Sequence, residues 1–451
     1  METVAQEPRV DGVLMRRLFL GIGGLLFGFG VLAFAFGNVS VASRRAMPID
    51  LNVNWIAAQR LVDRQALYER AASHDEAVRV IGPEMRVQEN CIFCGFVGPP
   101  ATALLHVPFL ALGHDDGVTW FRVIAVLGMV GAVLLTVRVL PSRSRAPAAL
   151  LGVGALLASF PLANTIDVGQ GNEFVMLGLA AGIWGVMRRR WGVAGIGLGV
   201  ATILKVSPVL LILYLLLRGE RRPAIWAAAT AAALSVFAAL LGRPLELWDW
   251  LRDVAPEVGR GSLHVWNQSI VGWLARLTSS GHADLAVQRL LPQFWSLLAY
   301  ALAGLAILRL WRWRRNRPIV PLELGVIVLV ALLVGPLSWE HYFVWAFIPF
   351  VLCFDVDVWA DRTRAEVAVL LAALAFGTYL LTIPVQSLWT MSAAAPWRAA
   401  LTSPATGAAV LYLAVVVRLL ATVRVHEDGE ARGVGDERGQ AVRSRVRHSF
   451  A

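Results

Sequence analysis

Apolar runs of 12–26 residues, broken by short arginine clusters or polar turns, set the pattern of the chain. They cover residues 18–37, 118–140, 147–162, 174–187, 192–217, 224–241, 293–311, 320–337, 343–354, 367–381 and 405–420. A run of this kind predicts a membrane-crossing helix where it approaches about 20 residues. The run 101–112, opened by Pro99-Pro100, is too short to cross and reads as interfacial or re-entrant. In two places the apolar period changes to a helical repeat with one polar face. In residues 49–68, Leu51, Trp55, Ala58 and Val62 oppose Asn52, Gln59, Arg60 and Asp63. Residues 266–277, WNQSIVGWLARL, repeat the pattern. Both read as amphipathic helices lying on a membrane surface.

The arginines orient the runs. They cluster at Arg143/Arg145, Arg188–Arg190, Arg218/Arg221/Arg222, Arg312/Arg314/Arg315/Arg317 and Arg362/Arg364, the footprint of cytoplasmic loops. Run 192–217 has arginines at both ends and Pro208 within it, so it reads as a hairpin of two half-length helices that enters and leaves on one side. The expectation is an all-α polytopic membrane protein with about ten spanning helices, one re-entrant hairpin and interfacial helices on the outer face. Residues 1–17 form a cytoplasmic N-terminus, 18–422 the membrane domain and 423–451 a disordered cytoplasmic tail; 38–100 is the first outer loop. Run 18–35 lacks a cleavage site and reads as a signal anchor. No internal repeat stands out, which disfavours transporters built from duplicated halves.

Composition agrees. Of 451 residues 57% are hydrophobic and 16% charged, with a mean hydropathy of +0.63. The net charge of +10 sits in the inter-run clusters, not in a nucleic-acid groove. A single lysine, Lys205, stands among 41 basic residues, inside an apolar run. Cys91 and Cys94 form CIFC in the outer loop and read as a local staple.

The topology gathers the polar motifs on the outer face. Asp50 opens the first amphipathic helix, where an aspartate serves either as an N-cap or as a base at the bilayer boundary. An ammonium at Lys205 in the hydrocarbon zone suits a lipid phosphate, unless it snorkels to the interface. The turn holding Gln170, Asn172 and Glu173 carries amides and a carboxylate of the kind that bind sugars; Asn267 and Gln268 resemble it. Trp339, Glu340 and His341 stand together at an outward boundary. HExxH, GxSxG and Walker A patterns are absent, so nothing points to zinc, serine-hydrolase or nucleotide chemistry.

Six stretches in this order resemble glycosyltransferase family 87, multi-spanning enzymes of the GT-C class. They are DLNVNWIAAQRLVDRQALY (50–68), Gly98-Pro-Pro through Pro108, GQGN with the apolar run after it (169–187), GLGVATILKVSP (197–208), WNQSIVGWLARL (266–277) and SWEHYFVW (338–345). The chain departs from the family pattern at Asn54-Trp55, at 63–65 and at Gly98. The resemblance implies a GT-C-like fold and inverting transfer of a hexose, most often mannose, from a polyprenyl-phosphate donor to a lipid-linked glycan at the outer face of the plasma membrane. It implies Asp50 as general base, with Lys205 suited by its chemistry to the leaving phosphate. Asn54, Trp55, Tyr68, Gln170, Asn172, Asn267, Gln268, Trp339, Glu340 and His341 are the candidate substrate contacts. No cofactor or nucleic-acid partner is expected, and no ligand cluster argues for a metal. A pentosyltransferase of the same fold and a lipid or sugar transporter are the rival readings.

Overall fold

The computed structural model describes residues 10–43, 49–68, 76, 79–80, 95–278, 285–360, 362–385 and 402–423. Cys91, Cys94 and the tail beyond residue 423 lie outside the described residues. The described chain is helical, without a strand beyond one isolated bridge between Asn267 and Trp339. Its principal helices are α1 (Gly12–Ser43), α2 (Ile49–Val62), α3 (Pro100–Leu104), α4 (Val107–Leu110), α5 (His114–Val137), α6 (Ser142–Leu157), α7 (Phe160–Val168), α8 (Asn172–Met187) and α9 (Trp191–Leu204). Then follow α10 (Val209–Leu217), α11 (Arg221–Leu241), α12 (Ile270–Thr278), α13 (Leu285–Arg314), α14 (Pro321–Val334), α15 (Phe347–Leu352), α16 (Arg364–Leu380) and α17 (Pro404–Ala421).

The helices share two ends. At one, the arginines meet: Arg188 Nη2 donates to the Arg138 carbonyl at 3.3 Å, and Arg314 Nε donates to Glu323 at 3.0 Å. Arg218 joins the same Glu323, and Arg418 lies 2.8 Å from Glu366. The Val10 amide, just before α1, donates to the Arg362 carbonyl at 3.0 Å, so the start of α1 lies there too. The polar motifs collect at the opposite end. Gly242, after α11, abuts Leu61 of α2, and the Gln268 amide donates to the Ser338 carbonyl at 2.8 Å.

By length and composition five described helices can cross a bilayer, and six if the α6–α7 pair, bent by 55°, is one span. Others that run between the two ends are shorter; α14 has 14 residues, every one from Leu322 to Val334 buried. A helix walled in by protein need not match the hydrocarbon thickness itself. Helix length therefore does not establish ten crossings.

The run 192–217 is divided at Lys205–Pro208 into α9 and α10, whose arginine-bearing ends lie together. Near its start α9 presses Gly195 against Pro223 and Trp226 of α11, and α10 ends on the Arg218–Glu323 pair. The two limbs splay, both resting on α11 rather than along each other. Lys205 sits at the tip.

The surface placement of α2 is corrected. Leu51, Asn52, Trp55, Ala58, Arg60 and Leu61 are all buried, so both faces of the helix are covered. Its polar side is partnered inside the protein: Arg60 makes two bonds of 2.6 and 2.7 Å to Glu76, and Asn52 Oδ1 lies 2.8 Å from His114 Nε2. The helix is a packed element under the polar end, where a buried charge needs such a partner. The second amphipathic stretch starts later than its pattern, as α12 at Ile270, because Trp266–Ser269 are held in the turn against Ser338–Glu340; α12 packs on α13 and α14.

Candidate active site

The centre of the polar end is a chain of three side chains. Gln170 Nε2 donates to Asp50 Oδ2 at 2.6 Å, and Lys205 Nζ donates to Gln170 Oε1 at 3.0 Å. Lys205 also donates to the Tyr342 hydroxyl at 2.6 Å, with Nζ 4.2 Å from the ring centroid. One carboxylate, one planar amide, one ammonium and one phenol thus come from four separate segments.

Local structure explains how they meet. Gly169 ends α7 in the left-handed region, φ 72°, which favours glycine. A Cβ there would lie 2.4 Å from the Leu51 Cβ, so the glycine also lets α2 approach and brings Asp50 to Gln170. Asp50 is in the first turn of α2 and half-buried. Desolvation raises its pKa above the usual carboxylate range, opposed by the Gln170 bond and the Lys205 charge. Lys205 comes from the break between α9 and α10, and Tyr342 from the 3-10 helix Glu340–Ala346, where its ring stacks on Trp345 at 5.3 Å and 18°.

A buried polar cluster adjoins the chain through the residues next to Tyr342. Asn164 Nδ2 donates to Glu340 Oε2 at 2.5 Å, and the Thr165 hydroxyl donates to the His341 carbonyl at 3.2 Å while accepting from Asn172 Nδ2 at 3.4 Å. Burial pushes the Glu340 carboxyl up to about 8 and holds the His341 imidazole well below its usual value, so both are neutral near pH 7. Glu173, also buried, packs against Gly128 of α5, and neither of its oxygens has a hydrogen-bond partner among the described residues.

The structure brings together Asp50, Gln170 and Lys205, with Glu340, His341 and Asn172 adjoining them. It gives other candidates different surroundings. Trp55 lies edge-on to His114 at 5.3 Å and packs on Gly117, and Asn54 is buried beside it in α2. Tyr68 donates to the Gly98 carbonyl at 2.7 Å and stacks on Phe96. Asn267 donates to the Ser262 and Pro336 carbonyls and accepts from the Ser269 and Ser338 amides. Gln268 donates to the Val265 and Thr402 carbonyls. These two amides, with the Trp339 bridge, brace the turn that carries Glu340–Tyr342. Tyr342 and Asn164 are the residues that motif reading passed over; Tyr342 was detectable as a third polar ring in SWEHY. Among the described residues no three His, Cys, Asp or Glu side chains are grouped to hold a metal ion.

Apolar helices bundled beneath a polar, charge-bearing end define a multi-pass membrane protein. The chain belongs to glycosyltransferase family 87, whose sequence model matches residues 96–336. That match begins after Asp50 and takes in Gln170, Lys205 and Asn267. A polyprenol-phosphate-mannose-dependent alpha-(1-2)-phosphatidylinositol pentamannoside mannosyltransferase of Mycobacterium tuberculosis (strain CDC 1551 / Oshkosh) is 28% identical over 345 residues, 74% of each chain. A polyprenol-phosphate-mannose-dependent alpha-(1-2)-phosphatidylinositol mannoside mannosyltransferase of Mycolicibacterium smegmatis is 29% identical over 276 residues, 55% of this chain and 59% of that protein. One of the same description from Mycobacterium tuberculosis (strain ATCC 25618 / H37Rv) is 29% identical over 300 residues, 62% of this chain and 66% of that protein.

Proposed function

We propose that this chain is a plasma-membrane mannosyltransferase that moves mannose from a polyprenyl phosphate to a lipid-linked glycan on the extracytoplasmic face. The observation that carries the reading is the Asp50–Gln170–Lys205 chain at the end of the bundle opposite the Arg138–Arg188 and Arg218–Arg314 contacts. The descriptions of the relatives support the donor and a phosphatidylinositol mannoside-like acceptor. The positive-inside tendency puts the arginine end and both termini in the cytoplasm and the chemistry outside.

The reaction is a single inverting displacement. The acceptor oxygen forms its bond to the anomeric carbon as the bond from that carbon to the phosphate oxygen breaks. Asp50 takes the hydroxyl proton, and the polyprenyl phosphate leaves with the electron pair. Desolvation makes Asp50 a stronger base than an exposed carboxylate, which suits proton removal near neutral pH. Lys205 offsets the charge gathering on the departing phosphate. Glu340, His341 and Asn172, which adjoin the chain, are the proposed sugar contacts, and Trp339 braces the turn that carries the first two. The lipid-linked donor is already activated, so this reading calls for no nucleotide.

The test is transfer from labelled polyprenyl-phosphate-mannose in proteoliposomes, wild type against Asp50→Asn. The expected result is transfer by the wild type and a loss of about a thousandfold or more in the variant, the combined effect of general-base catalysis and charge. Full activity in the variant removes Asp50 from the role. Movement of lipid across the bilayer without transfer replaces the enzyme reading with a transporter.

A further inference from the structure

The ammonium of Lys205 carries three N–H donors, and two have acceptors, Gln170 Oε1 and the Tyr342 hydroxyl oxygen. The third has no acceptor among the described residues. Tyr342 is in a matching position. Its oxygen accepts from Lys205, and its own O–H hydrogen has no acceptor among the described residues. Two unused donors therefore sit on atoms 2.6 Å apart at the tip of the α9–α10 break.

Both atoms are held. The Tyr342 ring stacks on Trp345, and its amide donates to the Trp339 carbonyl at 2.8 Å. Gln170 restrains Lys205 from the other side. Two unused donors on atoms 2.6 Å apart, one cationic and one neutral, suit an anionic oxygen.

We infer that Tyr342 is a catalytic residue, its hydroxyl donating to the same lipid phosphate that Lys205 meets. This rests on the function proposed above. In the donor the phosphate is a diester with one negative charge; the leaving polyprenyl phosphate is a monoester that ends with two. A donor aimed at that oxygen gains strength as the charge develops, so it lowers the barrier more than it tightens ground-state binding. The tyrosine ring has a separate task, the face on which the ammonium rests.

Tyr342→Phe separates the two, keeping the ring and removing the hydroxyl. In proteoliposomes with polyprenyl-phosphate-mannose, kcat should fall about tenfold to a hundredfold, the range for one lost donor to a charged group. KM for the donor should stay within about twofold, and inhibition by polyprenyl phosphate should weaken about tenfold. An unchanged kcat, or a rise in donor KM alone, overturns the inference. Unmodified protein provides a second measurement that depends on no variant folding. It should bind polyprenyl phosphate about tenfold more tightly than its methyl diester, since the second charge meets both donors. Equal affinities overturn the inference too. Failure of the wild type to transfer at all removes the proposed function itself, whereas normal wild-type transfer with an indifferent Tyr342→Phe removes only the role of the hydroxyl.

Discussion

Gly169 touches Leu51 so closely that a Cβ on the glycine would fall 2.4 Å from the leucine Cβ. This backbone approach, with φ at 72°, holds the first turn of α2 against the end of α7 and presents Asp50 to Gln170. Gly169→Ala should therefore separate the two side chains without touching either. The left-handed strain alone costs roughly 1 kcal/mol, and the clash adds to it. The expected outcome is a fall in kcat of at least about tenfold, read in the transfer assay beside the melting temperature. A variant with wild-type kcat would show that the approach does not set the base.

Asp50 has its pKa raised by desolvation, and as the proposed base it must be unprotonated to act. Activity should therefore rise with pH along a limb lying above the ordinary carboxylate range, and fall as pH drops through it. The Gln170 bond pulls that pKa down, so Gln170→Leu should move the limb to higher pH. The profile of kcat/KM against pH for the two proteins checks the sign. A shift to lower pH contradicts the arrangement.

Asn267 makes four bonds to backbone groups across two loops, two of them fully buried. Asn267→Ala leaves those groups without partners and should lower stability by about 2–4 kcal/mol, given the cost of unsatisfied buried groups. Thermal unfolding in detergent measures it. If Asn267 instead contacts sugar, the melting temperature stays put and KM rises.

At the other end Arg218 and Arg314 share Glu323, and all three side chains are buried. Removing the charge in Glu323→Gln leaves two guanidiniums facing each other. A loss of about 3–5 kcal/mol is expected for breaking a buried ion pair. Whatever protein folds should retain its kcat, because the cluster lies far down the bundle from Asp50. Unfolding curves and transfer rates on the same preparation separate the two effects.

The helix directions were legible in the chain because arginines mark helix ends directly: Arg188 does meet Arg138, and Arg218 meets the pair made by Arg314 and Glu323. Pro208 likewise announced the break that carries Lys205. Burial of α2 was not legible. Its period of apolar residues is that of a surface helix, and the partners that cover its polar face, Glu76 and His114, come from other segments of the chain. For the same reason spacing did not show that the Asn267 and Gln268 side-chain amides donate to backbone carbonyls. Spacing along a chain reports which side chains share a face; it says little about backbone groups brought in from elsewhere. The polar ends of Asp50, Gln170 and Lys205 could each be singled out, but the amide's place between the other two depends on Gly169 packing on Leu51.

The short limb below Lys205 has one more effect. The 14 residues of α9 rise about 21 Å, against a hydrocarbon core of about 30 Å. With the arginine end at the cytoplasmic face, as proposed above, the ammonium would sit beneath the level of neighbouring headgroups, and a lipid that reaches it must sink or the leaflet must dimple. Hydrophobic mismatch thereby enters the kinetics: vesicles of shorter acyl chains should lower the donor KM and thicker ones raise it, making membrane thickness itself a determinant of turnover.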